Sequence, residues 1–444
     1  MDLNEEKSVR PNAWALIPFV VFAAFYVGLS VWVGDFYRVP MTIAFLIASA
    51  VALAMGRGKS LASRIETYST GMGEINIMIM CLIFILAGAF ASVAKGSGAV
   101  DAAVAIAQSL VPPNLMLAGV FVISCLISLA IGTSCGTIAA VTPIALGFAA
   151  PLGLSPALLV GAVIGGSMFG DNLSMISDTT IAATRTQDIE MRDKFFANLW
   201  IAAPAALVCI VLYALNGASH PADGAVAQAA AVTWRQYMLI LPYVLILVLA
   251  LVGLNVMMLL FSGTLLASLI GVALGKTDLW GALDMLGKGT LGMSETLIVA
   301  ILAGGLFHSI QANGGIRWLT EKVSLLVRGP RTCEFGVFLL VSLVNLFTAN
   351  NTVAIVIAGP IAKECSDRFG ARPSRIASVL DTASCVVQGL IPYGAQVLIA
   401  MGIAKTAGCP VDAWSLLKSM YYQPILALAV FLTMLFVKTS RTKG

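Results

Sequence analysis

The chain alternates long apolar runs with short polar or basic breaks. A helix needs about 20 predominantly apolar residues to cross a bilayer. Runs of that kind lie near 14–33, 41–56, 75–94, 195–215 and 421–438, and 235–275 reads as two more with little loop between them. Other apolar stretches are broken from within. Residues 115–150 are interrupted by Gly132-Thr-Ser-Cys-Gly-Thr137, and 155–184 by Gly165-Gly-Ser-Met-Phe-Gly-Asp-Asn-Leu-Ser-Met-Ile-Ser-Asp-Thr-Thr180. Later interruptions are Thr348-Ala-Asn-Asn-Thr352 and Ser384-Cys-Val-Val-Gln-Gly-Leu-Ile-Pro-Tyr-Gly-Ala-Gln396, the last preceded by Asp381. Irregular polar backbone at membrane depth is tolerated only where it lines a cavity or is buried in protein. Ionisable groups there mark transport paths or relays by default.

The interrupted stretches come in two matched series. Gly71-Met-Gly-Glu74 opens one and Gly292-Met-Ser-Glu295 the other. Each continues with a span, a short amphipathic segment (99–111 and 315–327), an apolar run with a polar tip and then a broken span. Each tip carries two threonines four apart, followed by a small-residue helix and a proline, Pro143 or Pro360. Basic residues swap sides between the series. The 150–156 loop is uncharged, whereas its counterpart at 363–375 holds Lys363, Arg368, Arg372 and Arg375; conversely, 185–194 holds three basic residues and 405–412 only Lys405. Loops rich in Lys and Arg stay cytoplasmic, so the swap predicts two repeats of opposite orientation.

The tipped runs at 115–150 and around 348–352 are either pairs of short spans or re-entrant hairpins; length and polar tips favour hairpins. The fold expected is all-α and polytopic, with about ten transmembrane helices plus two re-entrant hairpins in an inverted repeat with broken helices. Its parts are an N-terminal two-helix segment at 1–70, a first repeat at 71–215, an external loop and two-helix linker at 216–291, and a second repeat at 292–444. Arg57, Lys59 and Arg64 on one side, and Lys438, Arg441 and Lys443 at the end, place both termini in the cytoplasm.

Composition agrees and narrows the classes. Of 444 residues, 59% are hydrophobic and only 11% charged, against roughly 25% charged in soluble domains. The net charge of +4 is assigned to cytoplasmic loops, so nucleic acid is not an expected partner. Eight scattered cysteines and two histidines form no zinc or disulfide pattern. No Gly-rich phosphate loop of an ATP-driven pump is present. No cofactor is expected, and the protein reads as a transporter and not an enzyme.

The chemistry sits in two clusters. The first, with Thr133, Thr137, Asp171, Asn172, Ser174, Ser177, Asp178 and Thr179, is acidic and hydroxyl-rich, which suits Na⁺ or a proton. The second, with Asn350, Asn351, Thr352, Asp381, Gln388, Tyr393 and Gln396, is mostly amide and hydroxyl, a site for a polar organic solute or a second ion. Each residue also has a plainer role. Asp178 suits a helix cap, Ser174 and Ser177 suit bonds back to helix carbonyls, and Asp381 can pair with Arg375.

The run Phe169-Gly-Asp-Asn-Leu-Ser-Met-Ile-Ser-Asp-Thr-Thr180 resembles the signature of NhaC-type Na⁺/H⁺ antiporters, roughly F-G-D-K-x-S-P-L-S-D-T-T, with nine positions matched or nearly so. Thr348-Ala-Asn-Asn-Thr-Val-Ala-Ile355 and Leu380-Asp381 with Leu390-Ile-Pro392 weakly match the second-half pattern. The resemblance spans the chain from about residue 15. It implies an inner-membrane homodimer with elevator-like movement, and Na⁺ bound at Asp171 and Asp178 as the coupling ion. The chain departs from the pattern with Asn172 for a usual Lys, Met175 for Pro, Asn350 for an acid, and one acid, Asp381, where two adjacent ones are common. Family members include sodium-coupled carriers of organic and amino acids. The leading expectation is Na⁺/H⁺ exchange; the alternative is Na⁺-coupled carriage of an amino acid or small carboxylate.

Overall fold

A computed structural model describes residues 10–33, 39–55, 60–219 and 232–437, and among these the chain is built of helices with no strand. Arg57, Lys59 and the C-terminal basic residues lie outside the described residues. The elements follow the expected order. By length and apolarity, eight helical stretches among the described residues can cross a bilayer. There are nine if Ala413–Ser419 and Tyr422–Phe436, bent by 52°, count as one crossing. Ala13–Gly28, Met41–Ala54 and Trp234–Leu249 are apolar but shorter.

The two tipped runs form helical hairpins. Met116–Ile131 turns at Gly132 and Thr133 into Ser134–Gly147; Pro330–Thr348 turns at Ala349 and Asn350 into Asn351–Phe369. Both broken spans break where the polar residues cluster. The first is Pro156–Leu173 and Asp178–Gln187, the second Pro373–Leu390 and Ala395–Thr406. Proline at the start of each outer half costs no hydrogen bond there.

The two series pack reciprocally. Leu61–Met72 crosses Ser294–Ala312, and Ile75–Gly96 crosses Leu279–Gly292. Both crossings are made by glycines. A Cβ on Gly71 would lie 2.6 Å from the Gly304 carbonyl oxygen, and one on Gly88 2.4 Å from that of Gly289. Backbones this close exclude any side chain, as at small-residue membrane helix contacts. The inner half of each broken span after its break leans on the other series' hairpin: Asp178–Gln187 on Asn351–Phe369, and Ala395–Thr406 on Ser134–Gly147.

Cross-contacts join residues distant in sequence. Asn12 N–H bonds the Gly314 carbonyl, and Lys363 pairs with Asp188. Lys95 donates to the Ala407 carbonyl and Gly217 packs on Asn114, so 95, 114, 217 and 407 pair at their own contacts. Two residues counted with basic loops are buried within helices. Arg375 is buried in its helix and bidentate to Glu334, at 2.9 and 3.1 Å, so it is not the partner of Asp381. Lys194 lies in the helix Met191–Ser219, which starts before the run at 195–215, and is only 1% exposed.

Candidate functional site

The hairpin tips and the helix breaks meet around one cavity of about 170 Å³. Four helix N-termini border it, those of Ser134–Gly147, Asp178–Gln187, Asn351–Phe369 and Ala395–Thr406. Each carries roughly half a positive charge in its unsatisfied N–H groups. Carboxylates are therefore stabilised here, and two are present, Asp171 and Asp178.

Asp171 is the better held. Its Oδ1 accepts from Ser177 Oγ at 2.5 Å and its Oδ2 from Ser134 Oγ at 2.6 Å, with the Ser134 N–H at 3.3 Å. Ser177 also meets Thr179 Oγ1 at 2.8 Å. Asp178 is exposed to the cavity at the first helical position, with Ser177 as the N-cap residue; its carboxylate takes no hydrogen bond from another described residue. It is therefore not a cap by side-chain bonding.

The amide half continues the same network. Gln396 Nε2 donates to Ser134 Oγ at 3.0 Å, and Gln388 Nε2 donates to Gln396 Oε1 and to the Ala349 carbonyl, both at 2.8 Å. The two expected clusters are thus one hydrogen-bonded chain, from the second hairpin tip to Asp171. Gln388 holds in the second broken span the place Asp171 holds in the first: two residues before the end of the half-helix, against its own hairpin tip. Three cavity groups keep unused capacity: the buried Gln388 Oε1 and Asn351 Nδ2 have no partner, and Asp178 is open. Asn350 accepts from Val353 N–H at 3.1 Å as a helix cap, and Thr352 and Thr133 line the wall.

A second network lies behind the first break. Lys194 Nζ contacts Asp381 Oδ2 and donates to the Asn172 carbonyl and Thr180 Oγ1, both at 2.6 Å. Asn172 Nδ2 and Asn198 Nδ2 each reach Asp381 Oδ2 at 3.2 Å. Asp381 and Asn172 are therefore grouped with each other and with Lys194, and neither lines the cavity.

The model of the Na⁺/H⁺ antiporter family matches residues 9–218 and 222–438. The chain belongs to that family. It is 26% identical to the Na⁺/H⁺ antiporter NhaC of Bacillus subtilis over 88% of this chain and 91% of that protein. It is 22% identical to a malate-2H⁺/Na⁺-lactate antiporter of the same organism, over 89% and 90%. NhaC of Alkalihalophilus pseudofirmus is 23% identical over 90% and 89%.

In this member of the Na⁺/H⁺ antiporter family the other expected site residues stand back from the cavity. Ser174 Oγ donates to the Leu129 carbonyl at 3.0 Å, which ties the first break to its hairpin. Thr137 Oγ1 bonds back to the Thr133 carbonyl at 3.0 Å. Tyr393 donates to the Leu346 carbonyl at 2.5 Å and packs edge-on against Phe22 and Phe45, anchoring the second break to the N-terminal helices. Lys194 and Asn198 were not anticipated. Their four-residue spacing puts both on one face of a helix, and that was the available signal.

Proposed function

We propose that the chain is a secondary transporter exchanging Na⁺ for H⁺, and that both cations compete for Asp171 and Asp178. The observation that carries this reading is Asp171: a buried carboxylate bordering the cavity, held by two hydroxyls, with the open Asp178 carboxylate on the same wall. Two carboxylates offset the positive helix ends, and the hydroxyls of Ser134, Ser177 and Thr179 lie beside them, which suits a hard cation or a proton. Thr133 and Thr179 are the added oxygens at this wall. The Na⁺/H⁺ antiporter family supports the ion pair. Proteoliposomes holding a pH dye test it: an inward Na⁺ gradient drives protons out and raises internal pH without any organic solute. No pH change under that gradient rejects the reading.

One observation favours a second reading, Na⁺-coupled carriage of a small carboxylate. Asn351 presents an unpaired buried amide donor at a helix N-terminus, on the side of the cavity that carries no acid of its own. Such an end suits an anion, and a relative is named for malate and lactate. A thermal-shift screen of carboxylates and amino acids with and without Na⁺ tests it, since a ligand of the folded form raises its stability.

The reciprocal packing supports the inverted repeat, with repeats at 71–215 and 292–444 and the basic end, near residues 188 and 363, in the cytoplasm. The hairpins and broken spans then form the part that carries the cavity across an inner membrane, in a homodimer.

A further inference from the structure

Lys194 is an unusual group to bury. Its ammonium is held by three oxygens: the Asn172 carbonyl and Thr180 Oγ1 at 2.6 Å, and the Asp381 carboxylate. These are a backbone carbonyl, a hydroxyl and a carboxylate, the donor types a hard cation takes. The carbonyl has a particular position. Asn172 is the penultimate residue of the half-helix Pro156–Leu173, at its negative pole. Carbonyls at the ends of half-helices are where broken-helix transporters hold coupling cations. The Asn198 side chain adds a buried Oδ1 with no hydrogen-bond partner. Stability does not account for the arrangement, because a buried ion pair often stabilises no better than apolar residues of the same volume.

We propose that Lys194 is a resident cation filling a second cation site, formed by Asp381, Thr180 and the Asn172 carbonyl, so that Asp171 and Asp178 are left as the only exchanging carboxylates. The tethered ammonium, anchored to the helix Met191–Ser219, neutralises Asp381 without an ion from solution. It also joins the first broken span, through Asn172 and Thr180, to the second, through Asp381. The meaning for turnover rests on the exchange reading above; the existence of the site does not.

The test counts Na⁺ bound per chain in detergent, by calorimetry and by ²²Na⁺ equilibrium binding, for the wild type, Lys194→Ala and Lys194→Ala/Asp381→Asn. Lys194→Ala is expected to bind one more Na⁺ than the wild type, whatever the wild-type count. It is also expected to gain thermal stability from Na⁺ but not from choline, and the double variant is expected to lose the added ion. An equal count in Lys194→Ala and the wild type overturns the proposal. So does a Lys194→Ala chain that cannot be isolated even in high Na⁺, because Na⁺ then fails to replace the ammonium. A wild type that binds no Na⁺ sinks the exchange reading alone, since the gain on removing Lys194 is still read.

Discussion

The two broken spans solve one backbone problem with different chemistry. Both leave helix ends bare at a break and both cover them with a hairpin tip. In the first, Asp171 faces its tip and takes two short hydroxyl bonds from Ser134 and Ser177. In the second, Gln388 holds that place and gives both its bonds away, to Gln396 and the Ala349 carbonyl. A carboxylate must be neutralised by a cation or a proton each time its surroundings change; an amide need not be. On the proposed exchange reading, ion coupling falls to the first half and a fixed polar scaffold to the second.

The largest effect expected is at the two mirror positions. Asp171→Asn removes the charge on which, in the proposed exchange, the cations compete, and should lower dye-reported exchange more than about 100-fold, the scale of about 3 kcal/mol for a charged partner. Gln388→Asn should keep exchange within about tenfold. Equal losses at the two positions would erase the distinction between the halves.

The hairpin tips give the next comparison. Gly132 turns the first tip with φ +74°, and an added Cβ would lie 2.7 Å from Ile176 Cγ1, a residue of the break itself. Gly132→Ala therefore combines left-handed strain of about 1–2 kcal/mol with a clash at the acidic wall. We expect a loss of roughly 3 kcal/mol in stability, read as a lower midpoint of thermal aggregation, together with weakened Na⁺ binding. Unchanged Na⁺ affinity in a destabilised protein would uncouple the tip from the site.

Gln396 links the halves and carries a smaller effect. Gln396→Leu removes the donor to Ser134, which still donates to Asp171, and the acceptor for Gln388, which keeps the Ala349 carbonyl, so two neutral hydrogen bonds are lost. Apparent Na⁺ affinity should fall about tenfold, equivalent to about 1.4 kcal/mol. A Na⁺ titration of the exchange signal checks this; no change would mean that the acidic half works without support from the amide half.

The helix order, the hairpins and the breaks were legible in the chain because each carries a local signal: an apolar run, a polar tip, or a proline at a helix start. So was the cavity wall of Thr133, Asp171, Asp178 and Thr179, since acids and hydroxyls within an apolar run have few other reasons to be there. What local signals could not supply was partnership. Asp381 was placed with the amides because it precedes Gln388 in sequence, but seven residues are nearly two helical turns, and it meets Lys194 from another helix. Lys194 itself was counted with the loop charges, since a lysine beside Asp193 at a span boundary looks the same in sequence whether it faces water or a carboxylate. The length-based span count differs from ten for a related reason. Ala13–Gly28, Met41–Ala54 and Trp234–Leu249 are shorter than the apolar runs that contain them, while one arm of each hairpin, Pro113–Ile131 and Pro330–Thr348, is long enough to be counted.

The smallest effect is expected at the second tip, and it has the opposite sign. Ala349 occupies the place of Gly132 with φ +49°, in the left-handed region where a Cβ is crowded by its own backbone. That costs about 1–2 kcal/mol. Ala349→Gly removes the crowding but frees the unfolded chain, which returns about 0.4–1 kcal/mol. The net expectation is a gain of about 0.5–1 kcal/mol in stability. The Ala349 carbonyl is the acceptor for Gln388, and glycine keeps that carbonyl, so exchange should survive the substitution. If the glycine variant instead loses exchange while becoming more stable, the strained tip contributes to the transport cycle, and the amide half is not a fixed scaffold.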